Sequence, residues 1–351
     1  MLKIQRQFID RVRAAKKPED LFDLVQAAIR LEHATIPPYL TAMLSLHPEK
    51  NREIWSIIHS VVVDEMLHMT IACNLLNALG RAPLIDHAGF VTKYPGPLPL
   101  GISSDLQVGL EPFSTDLMKN VFMKIEEPEK PIEFPVAALA AGAPQFATIG
   151  QFYAALIDKL QELGPSIFVG ASSRQVVVDQ WYAPERMFPI VDTKSAVHAL
   201  KIIVEEGEGT PDSPLSDDGD FAHYYRFEEV FHLRRLVRDP STPKGFSFSG
   251  AAIPFDSSAV YPLTPNQKLA DLDPKSEGAR RANQFAFVYT KLLKALQRVF
   301  DGDPAYFDTA LGVMFELKLA GQIACALPAI KNGQPTGQNV GPAFFYQPVN
   351  A

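Results

Sequence analysis

Val61-Val62-Val63-Asp64-Glu65-Met66-Leu67-His68-Met69-Thr70-Ile71-Ala72-Cys73-Asn74-Leu75-Leu76-Asn77-Ala78-Leu79-Gly80 is an apolar run of helical length with two chelating side chains set into it. Steps of four and three residues from Val61 reach Glu65, His68, Ala72, Leu75 and Leu79, so the pair lies on the stripe that should face a core. A carboxylate and an imidazole buried there alone would cost several kcal/mol or change protonation state, so they need partners or a metal ion. Glu-x-x-His on a bundle helix is half of a carboxylate-bridged di-metal site, in which two helices give one Glu each and two give Glu-x-x-His. The rest of the chain is therefore read for the other half.

Working outward, Leu21 to Leu46 is helical, with Leu21, Val25, Ala28 and Glu32 on one stripe and Pro18 as its start. Pro37-Pro38 should kink it just after Glu32, Ala34 and Thr35. Pro48 and Asn51 mark a short turn, and the helix from Asn51 to Leu79 ends at Gly80, giving an antiparallel hairpin. Residues 81–147 are rich in Pro and Gly and read as a long crossover, with one short helix near Ser114 to Ile125 and enough chain to form a lid or pocket wall. Further helices are expected at Ile149 to Leu163, Asp192 to Gly207 and Asp220 to Val237. Between the first two of these lies an irregular segment containing Trp181-Tyr182, and a turn-rich loop precedes the third. After a Pro/Ser/Gly stretch, two more helices follow at Glu277 to Phe300 and Pro304 to Leu327, and the tail from Asn332 reads as loop. The expected fold is all-α: a four-helix bundle over residues 1–240 with a long crossover insertion, and a helical extension over 241–351 packed on it.

Candidate ligands collect on the expected bundle helices. Glu32 lies on the first apolar stripe. In the helix near Asp192, His198, Ile202, Glu205 and Glu208 share a side, so Glu205 or Glu208 supplies the second single carboxylate; acid at a helix C-terminus is unfavourable without such a role. In the next helix Asp220 and His223 repeat the i, i+3 spacing, and His223 shares its face with Phe227 and Val230. Glu229 and His232 match Glu-x-x-His literally but project elsewhere and read as surface groups. The resulting set is Glu32, Glu65, His68, Glu205 or Glu208, Asp220 and His223, the two-plus-two template with Asp for the second Glu. Carboxylate and imidazole donors without thiolate suit two Fe or Mn ions better than copper, and zinc less well. Of the other histidines, only His198 is considered as an outer partner of a ligand.

Composition narrows the function classes. The 351 residues are 47% hydrophobic and 21% charged with a net charge of −7, and the pI is about 5.7. No basic run points to nucleic acid, and no stretch approaches the ~20 uninterrupted apolar residues of a spanning helix. The N-terminus lacks a signal-type apolar region, and two cysteines, Cys73 and Cys325, indicate a reducing cytoplasm rather than a disulfide framework. There is no phosphate-binding glycine loop, Gly-x-Ser-x-Gly elbow or Cys-x-x-Cys.

Leu31-Glu32-His33-Ala34-Thr35-Ile36-Pro37-Pro38-Tyr39-Leu40, Asp64-Glu65-Met66-Leu67-His68, Val204-Glu205-Glu206-Gly207-Glu208-Gly209-Thr210 and His223-Tyr224-Tyr225-Arg226-Phe227-Glu228-Glu229 together resemble the bacterial ferritin-like domain of iminophenyl-pyruvate dimer synthases, over about residues 20–235. The resemblance implies a ferritin-like bundle and, for those enzymes, oxidative coupling of two imines derived from aromatic 2-amino acids. Those enzymes are much longer chains, and where this chain has Gln151 the family usually bears Glu. The leading functional expectation is a di-metal oxidative enzyme acting on a small organic substrate, with Tyr39, Tyr224 or Tyr225 beside the centre. The alternative is a metal-binding or metal-free scaffold, and iron storage ranks last. Neither nucleic acid nor membrane is expected as a partner, and a homodimer is left open.

Overall fold

The computed structural model describes residues 5–101, 106–128, 149–178, 180–209, 213–216 and 219–347. A short helix α1 (Arg6–Ala14) leads into two 27-residue helices, α2 (Glu19–Ser45) and α3 (Arg52–Ala78), which pair as the expected hairpin. α3 is long and apolar enough to cross a membrane by length and composition, but 72% of its apolar window is buried inside the protein. It is the central core helix.

α2 does not end at its two prolines; it runs through Pro37 and Pro38 to Ser45. Each proline lacks the N–H that would bond the carbonyl four residues earlier. The carbonyl freed by Pro38 is that of Ala34, and the Tyr94 hydroxyl donates to it at 2.6 Å. At the end of α3 the chain closes in a Schellman motif: Gly80 takes φ +92°, its N–H donates to Asn77 O, and the Arg81 N–H donates to Leu76 O.

The crossover carries α4 (Thr115–Leu117), a π-helical turn (Met118–Phe122) and α5 (Met123–Ile125), with the Ser114 hydroxyl capping its start. The second bundle hairpin is α6 (Ile149–Leu163) with α7 (Thr193–Glu208), the latter opened by an Asp192/Ser195 capping box. α7 packs on α3, and α6 reaches α2 through a hydrogen bond between Tyr153 and Glu32, so α2, α3, α7 and α6 close a four-helix ring.

α8 (His223–His232) packs against α3, α5 and α7 and is shorter than expected. Leu215 bridges Phe221, and the Ala222 N–H donates to Pro214 O, so a tight turn consumes the backbone groups before the helix begins. His223 is therefore its first residue. Leu233 then turns left-handed at φ 51°, and the chain leaves into a two-stranded ribbon of β1 (Val237–Arg238) and β2 (Phe246–Ser247).

The C-terminal hairpin α9 (Glu277–Phe300) and α10 (Phe307–Cys325) packs on the first hairpin through α10 against α2 and α9 against α3. The tail from Asn332, expected as loop, instead turns into β4 (Gln334–Asn339), which pairs with β3 (Pro328–Lys331) just before it. Asn332 and Gly333, both at positive φ, make the reversal, a turn signal hidden by the polar strand β4 that follows it.

Candidate metal centre

α2, α3 and α8 converge on one buried point. Glu32 is 5% exposed, Glu65 3%, His68 2% and His223 0%. Glu65, His68 and His223 bring one donor atom each to within 4.8 Å of one another. His68 Nδ1 lies 3.8 Å from Glu32 Oε2 and 3.9 Å from Glu65 Oε1. His223 Nδ1 lies 3.0 Å from that same Glu65 oxygen.

A further carboxylate completes this end from outside the four-helix ring. Glu126, just past α5 on the crossover and buried, places Oε2 3.6 Å from His223 Nδ1. Asp220, expected to accompany His223, is exposed and precedes the helix, because the turn before α8 breaks the i, i+3 relation. Glu126 occupies the place beside His223 where Asp220 was expected. The only sequence signal for Glu126 was its place at the end of the short helix expected near Ser114 to Ile125.

The outer nitrogens of the two imidazoles face carboxylates of their own. Glu206 Oε2 lies 3.0 Å from His68 Nε2, and Asp64 Oδ2 lies 3.5 Å from His223 Nε2. Arg186, from the segment before α7, reaches both at 2.7 Å and also donates Nε to Glu206 Oε1 at 2.8 Å. Arg226 adds a 2.8 Å bond to Asp64. This is the outer arrangement that fixes which ring nitrogen faces a metal. α7 thus contributes Glu206 where Glu205 or Glu208 was expected; Glu205 is half-buried, and the side chain of Glu208 lies outside the described residues. The difference is one step of helix phase, about 100°.

Hydroxyl donors hold the inner carboxylates. Tyr153 of α6 donates to Glu32 Oε1, Tyr39 to Glu126 Oε1 at 2.5 Å, and Thr35 to Glu65 Oε2 at 2.8 Å. In the cases of Glu32 and Glu126 one oxygen is fixed by a phenol while the other faces an imidazole. α6 therefore contributes Tyr153 beside Glu32, two residues after Gln151.

Electrostatics follow from this crowding. Burial, and then the neighbouring Glu65, push Glu32 up to about 8. Burial and Glu65 also raise Glu126. Glu65 is itself driven upward by burial, but His223, His68 and the Thr35 bond outweigh this and hold it below the usual carboxylate range. Burial lowers His68 and His223, yet the surrounding carboxylates outweigh it and raise both.

The other sequence candidates fall elsewhere. His198 is exposed and stacks on Phe188 at 4.9 Å. Glu229 is buried, not at the surface, and accepts bonds from Arg235 and the Leu236 N–H beyond the end of α8. His232 is half-buried, 3.7 Å from Glu228. Tyr225 packs in a separate cluster with Leu236 and Phe246.

The residues fit a metal. Neither ring nitrogen of buried His223 has an aligned hydrogen-bond partner, although carboxylate oxygens approach both. Donors around one ion at about 2.1 Å stand roughly 3.0 to 4.2 Å apart, and the inner contacts of 3.0, 3.6, 3.8 and 3.9 Å lie inside that span. A cavity of about 40 Å³ lies against Glu32, Glu65, His68, Glu126 and Tyr153, which is room for about three water-sized groups.

Comparison with known proteins agrees with this architecture. A crystal structure of a ferritin-like protein from Caulobacter vibrioides superposes with a TM-score of 0.60 at 24% identity, covering 90% of this chain and 97% of that one. No curated protein matches the chain. The sequence pattern of the ferritin-like family matches residues 25–232, the span from α2 to the end of α8 that holds every residue of the cluster, and the chain belongs to that family.

Proposed function

We propose that this chain is a di-metal oxidoreductase in which Glu32, Glu65, Glu126, His68 and His223 hold two iron or manganese ions. The observation that carries this reading is the disposition of the two imidazoles. Each turns Nδ1 toward the shared carboxylate of Glu65 and Nε2 toward an outer carboxylate braced by Arg186. That disposition leaves the Nδ1 lone pairs for a cation and gives the Nε2 protons acceptors.

Glu65, which both imidazoles face, would hold the ions together with Glu32 on the His68 side and Glu126 on the His223 side as the terminal carboxylates. When bound, the two ions would exchange electrons with a small oxidant such as dioxygen or peroxide. Tyr153 and Tyr39 orient the terminal carboxylates, and the surrounding helices keep bulk water out. The sequence runs that resemble those of iminophenyl-pyruvate dimer synthases support an amino-acid-derived imine as the class of organic substrate. Two buried free thiols, Cys73 and Cys325, support a reducing cytoplasm as the setting.

A second reading, a metal-free scaffold, is favoured by one contact: His223 and Glu65 at 3.0 Å would neutralise each other as a buried ion pair. Metal analysis of the purified protein separates the two. About two Fe or Mn per chain supports the enzyme, and none after growth in supplemented medium sinks it. In the same assay His68→Ala loses the metal and keeps its helical circular dichroism, whereas collapse of the fold would favour the scaffold.

A further inference from the structure

Gly207 occupies the last full turn of α7, one residue after Glu206, at a place where glycine weakens a helix. Helix packing does not demand it. Its φ lies outside the left-handed region, and among the described residues a Cβ built on it would meet one atom, Glu126 Oε2, at an ordinary 3.8 Å. What the missing side chain leaves is space beside the Glu126 oxygen that Tyr39 does not bond, the same oxygen that faces His223.

The cavity that Gly207 lines is bounded by the carboxylates Glu32, Glu65 and Glu126 and by apolar side chains that include Ile125, Ile203 and Val204. The whole cavity is about 40 Å³. A leucine side chain from position 207 would extend into it over Glu126; an alanine would narrow it.

We infer that Gly207 keeps open a binding position for a ligand of two or three heavy atoms at the Glu126 end of the centre, and that a side chain at position 207 would close it. The inference rests on the di-metal reading and adds a size rule to it. Dioxygen, peroxide and azide satisfy the rule, and a five-membered ring does not.

The test uses the full chain loaded with Co²⁺, whose visible absorption reports its ligands, titrated with azide and separately with imidazole. Wild type should bind azide with a spectral shift and leave imidazole unbound. Gly207→Leu should load Co²⁺ to the same stoichiometry yet lose azide binding at least tenfold, and Gly207→Ala should fall between. If the leucine variant fails to fold or to load, the alanine variant decides, with a several-fold weakening expected. Equal azide affinity in wild type and a loaded variant, or imidazole binding as tight as azide in wild type, overturns the inference. Wild type that takes up no Co²⁺ overturns the di-metal reading instead, so the two failures are distinct.

Discussion

Glu126 Oε2 lies 3.6 Å from His223 Nδ1, joining the crossover between the two bundle hairpins to the first residue of α8. A side chain from a connection between helices is less rigidly placed than one from a long helix, and here the Tyr39 hydroxyl restrains the Glu126 carboxylate. Glu126→Gln should therefore lower bound metal from about two ions per chain to about one, read by elemental analysis. Asp220→Ala should leave the stoichiometry unchanged. Loss of metal in the Asp220 variant with none in the Glu126 variant would reverse the assignment.

The contrast between Asp220 and Glu126 also marks what a sequence discloses. Glu32, Glu65 and His68 were legible because helical periodicity places them on buried stripes of helices long enough to fix the phase. His223 was legible for its apolar neighbours, but the start of α8 was not, since the Leu215–Phe221 bridge depends on backbone pairing that residue types barely signal. Glu206 lies one step of helix phase from Glu205, and Glu126 was not singled out because nothing in a proline-rich crossover shows which side chain folds inward. Arg186 lies 20 residues from Glu206 and 122 from Asp64 in sequence. The outer contacts of a site are long-range by nature, whereas periodicity is local.

Metal affinity should rise with pH. In the metal-free protein Glu32 keeps its proton to about pH 8, while in the unfolded chain it ionises near 4.5. Between those values the unfolded state binds fewer protons, so this group makes metal-free stability fall as pH rises, levelling above 8. Metal needs the ionised carboxylate, so binding at pH 7 must release protons and tighten toward pH 8. Glu126, His68 and His223 are shifted upward and act in the same direction. Calorimetric titration with Mn²⁺ in buffers of different ionisation enthalpy reads the release directly. A proton count of zero at pH 7 would contradict this account of the cluster.

Tyr94 carries a prediction about the fold alone. Its hydroxyl takes up the Ala34 carbonyl that Pro38 leaves without a helical donor. Tyr94→Phe removes the donor and leaves a buried carbonyl unpaired, at a cost of about 1–3 kcal/mol. Chemical denaturation should show that loss with little change in slope. A Pro38→Ala background, which restores the backbone N–H, should shrink the penalty. An equal penalty in both backgrounds would mean that Tyr94 acts through packing.

Arg186 is the single guanidinium behind both imidazoles, bonded to Glu206 on the His68 side and to Asp64 on the His223 side. Arg186→Gln leaves two buried carboxylates short of their counter-charge, and breaking such a pair costs on the order of 3 kcal/mol. It also loosens the acceptors that keep Nδ1 of each ring directed inward. Weakening of outer contacts of this kind lowers metal affinity by about 10- to 100-fold. Because Arg226 still holds Asp64, the His223 side should suffer less than the His68 side. Competition with a chelator should then resolve one ion released early and one late in Arg186→Gln, against a narrower difference in wild type. Arg186→Lys, which keeps the charge but not the two-nitrogen grip on Glu206, should recover stability more fully than affinity. Equal recovery of both would show that the charge alone matters.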